Sequence, residues 1–147
     1  MPRNEAAAPP RRIHERSGAG RHCVEATALL CGGDVVVTLQ GGTRHHIGAT
    51  AMAVPRPSLA DPSRTSSSAS VLCVVGHKED ELARDVALRL SAALARTVTV
   101  VAGLHVDAAA SGDIRILLEN CDHVVERLTA SLLQSPEVAG EQAAGQA

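Results

Sequence analysis

Residues 71–105 read VLCVVGHKEDELARDVALRLSAALARTVTVVAGLH, and the hydrophobic period changes twice along them. Val71 to Val75 is a continuous apolar run of strand length. From residue 79 to residue 95 the period becomes helical: Leu82, Val86, Leu90 and Leu94 recur every four positions, with Ala83, Ala87 and Ala93 beside them. Arg84, Asp85 and Arg89 fall elsewhere on the wheel. Glu79, Asp80 and Glu81 fill the first turn, where the helix dipole favours acids. Thr97 to Val101 returns to an apolar, β-branched strand pattern. The stretch is strand–helix–strand, a unit that crosses over right-handed if its strands run parallel.

Upstream, residues 22–30 are strand-like and end on a good turn, Cys31-Gly32-Gly33-Asp34. Val35 to Gln40 reads as a largely buried strand, Gly41-Gly42-Thr43-Arg44 as a second turn, and 46–54 as a third strand. Short connections predict an antiparallel meander here. Residues 55–70 contain Pro55, Pro57, Pro62 and six serines and read as a flexible loop, long for a compact domain. Downstream, 112–133 predicts a second helix, capped by Ser111 or Asp113. Its apolar stripe comprises Ile114, Leu117, Leu118, Cys121, Val124, Val125, Leu128 and Leu132. Asn120 and His123 border that stripe. The order is β-β-β-loop-β-α-β-α. The fold class expected is α+β, one mainly antiparallel sheet with two helices packed on it. A single domain over 21–134 is expected between disordered tails at 1–20 and 135–147.

The 147 residues include 45% AVILMFWYC, enough for a packed core, yet no Phe, Tyr or Trp. The core must be aliphatic, and a planar ligand must lie against aliphatic, His, Arg or peptide surfaces. A formal net charge of −2 carries no basic footprint for nucleic acid. The basic, alanine-rich start lacks the apolar segment of a secretory signal, and no apolar run approaches the roughly 20 residues that span a bilayer. A soluble, cytoplasmic protein is expected. Cys23, Cys31, Cys73 and Cys121 form no C-x-x-C pair and read as small hydrophobes rather than disulfide or zinc partners.

Chemistry concentrates in three clusters at strand ends: Gly41-Gly42-Thr43-Arg44-His45-His46-Ile47-Gly48, Gly76-His77-Lys78-Glu79-Asp80 and Gly103-Leu104-His105. They hold four of the seven histidines and the one lysine, against thirteen arginines. Arg44 offers a planar fork matched to phosphate or carboxylate, and a lone lysine in an arginine-rich chain points to a need for a compact ammonium. His45 and His46, if on a strand, point to opposite faces. Each cluster also has a plain reading as a turn with solvated side chains. His45, His77, Glu79 and His105 are the residue types of a zinc, manganese or iron site, but no H-x-x-x-H or H-E-x-x-H spacing supports a metal. Neither a G-x-S-x-G, a Walker loop nor a G-x-G-x-x-G is present.

Taken together, Gly-Gly-Thr-Arg-His-His-Ile-Gly-Ala, the strand ending in His-Lys-Glu-Asp, and Ala-Gly-Leu-His-Val-Asp resemble the prenylated-flavin chaperone family, the small D proteins that accompany UbiD-type gallate decarboxylases. The resemblance spans roughly residues 22–133. It implies a dimeric protein with a fold similar to proteasome assembly chaperones, and a non-catalytic carrier that binds reduced prenylated FMN and delivers it to an apo-decarboxylase. The positions carried over are Gly42, Thr43, Arg44, His45, His46, His77, Lys78, Glu79 and His105, with Arg44 or Lys78 on the phosphate. A metal-dependent enzyme built on the His/Glu clusters and a protein-only assembly factor for the decarboxylase are the alternatives.

Overall fold

The computed structural model describes residues 9–144. Of the expected tails at 1–20 and 135–147, residues 1–8 and 145–147 lie outside the described residues. Six strands and three helices follow in the order β1 (Arg11–Ser17), β2 (Val24–Cys31), β3 (Asp34–Gly42), β4 (Ala49–Pro57), β5 (Thr65–Cys73), α1 (Asp80–Leu94), β6 (Val98–His105), α2 (Ser111–Leu133) and α3 (Pro136–Ala144). The strands form one sheet in the spatial order β1-β2-β3-β6-β4-β5. Only the β3–β6 pair is parallel. The protein is α+β, a mostly antiparallel six-stranded sheet with two long helices.

Alternation explains the layering. Val24, Ala26, Ala28 and Leu30 on β2 are buried, as are Val35, Val37 and Leu39 on β3, Val98, Val100 and Ala102 on β6, and Ala49, Ala51 and Ala53 on β4. The register sets these residues side by side on one face, for example Leu39 opposite Ala102, and Ala102 opposite Ala49. α1 packs over β4, β5 and β6, while α2 packs over β1 and β2. The alanines of β4 share one core with Ala83, Ala87 and Leu90 of α1, which packs on β4, so small side chains at this contact stand in for the aromatic volume this chain lacks. Fully buried Leu39, Leu90, Leu94, Leu128 and Leu132 are each worth about 1.5–3 kcal/mol of hydrophobic stabilisation.

Four sequence expectations are corrected. Residues 11–17, read as part of a tail, form β1, whose edge position leaves only Ile13, Glu15 and Ser17 partly covered; Arg11 to Ser17 pair with Leu30 to Val24. The Pro/Ser stretch 55–70 is mostly sheet: β4 runs through Pro57 and β5 begins at Thr65, leaving a loop of 58–64. β5 is an edge strand, and beyond Ala53 β4 pairs with β5 alone, so the serines and Pro55 and Pro57 lie where half of the backbone groups need no partner in the sheet. After Ser135 the chain turns helical again, with Pro136 at the first position of α3, where its missing N–H costs nothing; Val138 is buried beneath it. Finally, the opening is not a three-stranded meander. β2 and β3 form the expected hairpin, but β6 inserts between β3 and β4, and β4 pairs with β6. The 43–48 connection spans that gap.

α2 is capped from its third position. The Asp113 carboxylate accepts the Ala110 N–H at 2.9 Å and the His22 ring contacts it at 2.6 Å. Ala110 has no side-chain acceptor to return the bond, so the cap is one-sided. Asn120 donates to the His22 carbonyl at 2.8 Å and lies 3.4 Å from the Ser17 hydroxyl, tying α2 to β1 as a structural residue.

All four cysteines are free. Cys121 is 2% exposed, and burial pushes its thiol up to about 12. In native buffer at neutral pH, Cys31 and Cys73, both exposed, are expected to react readily with a thiol reagent, and Cys121 only after denaturant is added. Equal reaction rates for all four would contradict this packing.

Candidate functional site

The three clusters meet at one end of the sheet, because β3, β6 and the β5–α1 turn all end there. Gly42 pairs with His105, so the ends of β3 and β6 coincide. The connection 43–48 then arches over the end of β6: Thr43 N–H donates to the His105 carbonyl at 2.6 Å, and Gly48 N–H donates to the Ala102 carbonyl at 2.9 Å. Close approach requires glycine. A Cβ on Gly103 would overlap the His46 carbonyl, 2.6 Å from its carbon, and Gly42 has a φ of 87° against the His105 backbone. His45 and His46 therefore lie in this arch rather than on a strand, and both border the same cavity.

Two networks result. In the first, Arg44 donates to Asp107 Oδ1 at 3.1 Å and touches His105 Nε2 at 2.6 Å. The Thr43 hydroxyl accepts the Asp107 N–H at 3.1 Å and lies 3.1 Å from Asp107 Oδ2. Hydrogen bonds from His105 and Thr43, with Arg44 nearby, hold the Asp107 carboxyl below its ordinary range. In the second, His46 Nε2 lies 3.1 Å from His77 Nδ1 and 2.9 Å from Glu79 Oε1. Burial alone would raise Glu79. Hydrogen bonds from the Leu104 N–H, its own N–H, His46 and the Lys78 N–H outweigh that and hold it below the usual carboxylate range. The Glu79 side chain thus faces backward onto β6 instead of capping α1. Gly48 makes room for it: a Cβ there would sit 2.5 Å from the carboxylate. Lys78 is exposed, and its ammonium has no partner among the described residues.

Two cavities adjoin both networks. One, of about 430 Å³, has polar His77, Lys78, Glu79 and His105 on one side and an apolar wall of Leu82, Leu104, Val106, Ile114, Leu117 and Leu118 on the other. The second, of about 250 Å³, is lined by Arg44, His45, His46, His77 and His105. His77 and His105 belong to both. Every site position expected from the sequence lies in this region. The sequence reading missed Asp107, two residues beyond His105 within the Val-Asp ending of its own motif, and Ile114 and Leu118. The latter two were assigned to the core stripe of α2, but they are 48% and 46% exposed and form the cavity wall. It also paired His45 with the other metal-type ligands, whereas the structure brings His46 to His77 and Glu79.

A helix-backed sheet with apolar and polar cavities side by side at one end has the concave form that small-molecule sites take, and its architecture is shared. A chain from a chaperone complex for yeast 20S proteasome assembly superposes with a TM-score of 0.55 at 13% identity, covering 89% of this chain and 99% of that one. No curated protein sequence matches the chain significantly. Residues 18–133 match the prenylated flavin chaperone LpdD-like domain; the chain belongs to that family. Among the described residues no helix is long and apolar enough to cross a membrane.

Proposed function

We propose that this protein is a non-catalytic carrier that binds reduced prenylated FMN across the two cavities and hands it to an apo UbiD-type decarboxylase in the cytoplasm. The observation that carries this reading is the junction of an apolar and a polar cavity at His77 and His105. The cargo has the same polarity split. A flat ring system enlarged by prenyl carbons matches Leu82, Leu104, Ile114 and Leu118, while a hydroxylated, phosphate-bearing tail matches Arg44 and His45 of the polar cavity or Lys78 on the polar side of the larger one. Arg44 supplies a bidentate fork and Lys78 an unpaired ammonium for the phosphate. His77 and His105 lie where ring edge and tail would meet, and Gly42, Thr43, His46 and Glu79 hold the arch and rings in place. Aliphatic contacts in place of aromatic stacking suit a carrier that must release what it binds. Half-exposed Ile114 and Leu118 let cargo leave without local unfolding.

We place a second copy on the outer face of the sheet, where no described helix packs. Leu29, Met52 and Val54 are exposed there, with Leu29 opposite Val36 and Met52 opposite Thr99 in the register. A solution mass of one chain at micromolar concentration would remove the homodimer.

The decisive experiment is anaerobic titration with reduced prenylated FMN, with reduced FMN as control. A chain without Trp or Tyr leaves the ligand absorbance clear. Saturable binding of the prenylated form, followed by activation of apo-decarboxylase, is the expected result. No binding, with a stable complex to apo-enzyme, would instead favour a protein-only assembly factor.

A further inference from the structure

We infer that His46, His77 and Glu79 form a binding site for a divalent transition-metal ion. Three ligand atoms from two segments, His46 on the 43–48 arch and His77 and Glu79 on the β5–α1 turn, converge within 4.8 Å of one another. His46 Nε2 is 3.1 Å from His77 Nδ1 and 2.9 Å from Glu79 Oε1, and His77 Nδ1 is 3.5 Å from Glu79 Oε2. Metal bonds of about 2.0–2.2 Å to nitrogen and oxygen place neighbouring ligand atoms about 3.0–3.5 Å apart, close to these three contacts, of which the two to Glu79 use its two oxygens.

Protons alone satisfy the arrangement poorly. A ring nitrogen carries either one hydrogen or one lone pair, yet His46 Nε2 faces two neighbours at hydrogen-bond distance. A cation in the centre takes a lone pair from all three. Charge points the same way. The Glu79 side chain is 12% exposed, and among the described residues histidines are its only ion-pair partners. The carboxylate is already fixed by backbone N–H groups of Leu104 and Lys78 at 3.3 and 3.0 Å, as the supporting hydrogen bonds of a metal ligand usually are. Two imidazoles and one carboxylate select zinc, manganese, iron or cobalt over magnesium or calcium. Three protein ligands leave at least one position for water or an oxygen anion from the adjoining cavities. The site needs no flavin, so it stands or falls separately from the carrier reading.

The test uses the full chain, stripped with chelator, and zinc or cobalt(II) alone. Equilibrium dialysis is expected to give about one zinc per chain, and cobalt to give a d–d spectrum of nitrogen and oxygen ligation. His77→Ala should weaken binding roughly tenfold or more. His77 donates no side-chain bond to backbone, so this variant keeps its fold, with circular dichroism as the check. Glu79→Gln should weaken binding too, though it also disturbs the Leu104 contact. Cys73→Ser should bind normally. The inference is overturned by absence of saturable binding, by unchanged affinity in folded His77→Ala, or by a thiolate–cobalt charge-transfer band that Cys73→Ser abolishes.

Discussion

Gly103→Ala is expected to cost about 3 kcal/mol or more of folding stability, in the range reached by overpacking a rigid site. The added methyl would overlap the carbonyl of His46, and this neighbour is backbone, not a flexible side-chain tip. Relief requires lifting the 43–48 arch from β6, which breaks the Gly48 N–H bond to Ala102 and the His46 contact with Glu79. Urea denaturation measures the loss. Gly112→Ala is the control: apart from its chain neighbours and the helix's own backbone, nothing lies within 4 Å of the new methyl, and alanine in a helix is favoured over glycine by up to about 1 kcal/mol. If Gly103→Ala unfolds at the same denaturant concentration as the parent, the arch is not pressed onto β6 as described.

Arg44→Ala is expected to weaken binding of reduced prenylated FMN more than tenfold, about 1.4 kcal/mol or greater. The side chain is largely exposed and, among the described residues, bonded only to His105 and Asp107, so its removal leaves the core untouched. Asp107 pre-positions the guanidinium at the mouth of the polar cavity, lowering the ordering cost of gripping a phosphate. Arg44→Lys keeps the charge but loses the planar fork, and should recover only part of the affinity. Unchanged affinity in Arg44→Ala, read by the same anaerobic titration, would leave the phosphate to Lys78.

Where burial imposes a strong period, the sequence was readable. α1 and α2 start and stop within a residue or two of the expected limits, because their stripes face a continuous core. The β2–β3 hairpin follows from Cys31-Gly32-Gly33-Asp34, with Gly32 at a φ of 65°. Edges were not readable. β1 (RRIHERS) and the first half of β5 (TSSSA) are polar, since an edge strand is specified by its neighbour's register more than by its own side chains. Val74 and Val75 looked like strand, yet they lie in the exposed turn before α1. In the site, the company kept by Arg44, His46, His77, Glu79 and His105 was visible as three clusters at strand ends. Which histidine turned inward was not, because that depends on β6 lying beneath the arch. Ile114 and Leu118 carried the same helical period as true core residues, so periodicity alone could not separate cavity wall from core.

The central position of β6 also orders the chain's assembly in time. Each inner edge of the sheet, on β3 and on β4, waits for residues 98–105, some sixty positions beyond the β3 residues they pair with. During synthesis the β2–β3 and β4–β5 hairpins can form early from near neighbours, but as separate pieces with open flanks. Such distant pairings slow folding and leave those flanks vulnerable to wrong partners. The last sheet strand to emerge is therefore the one that joins the halves, and the arch with its histidines is seated only in that same late event.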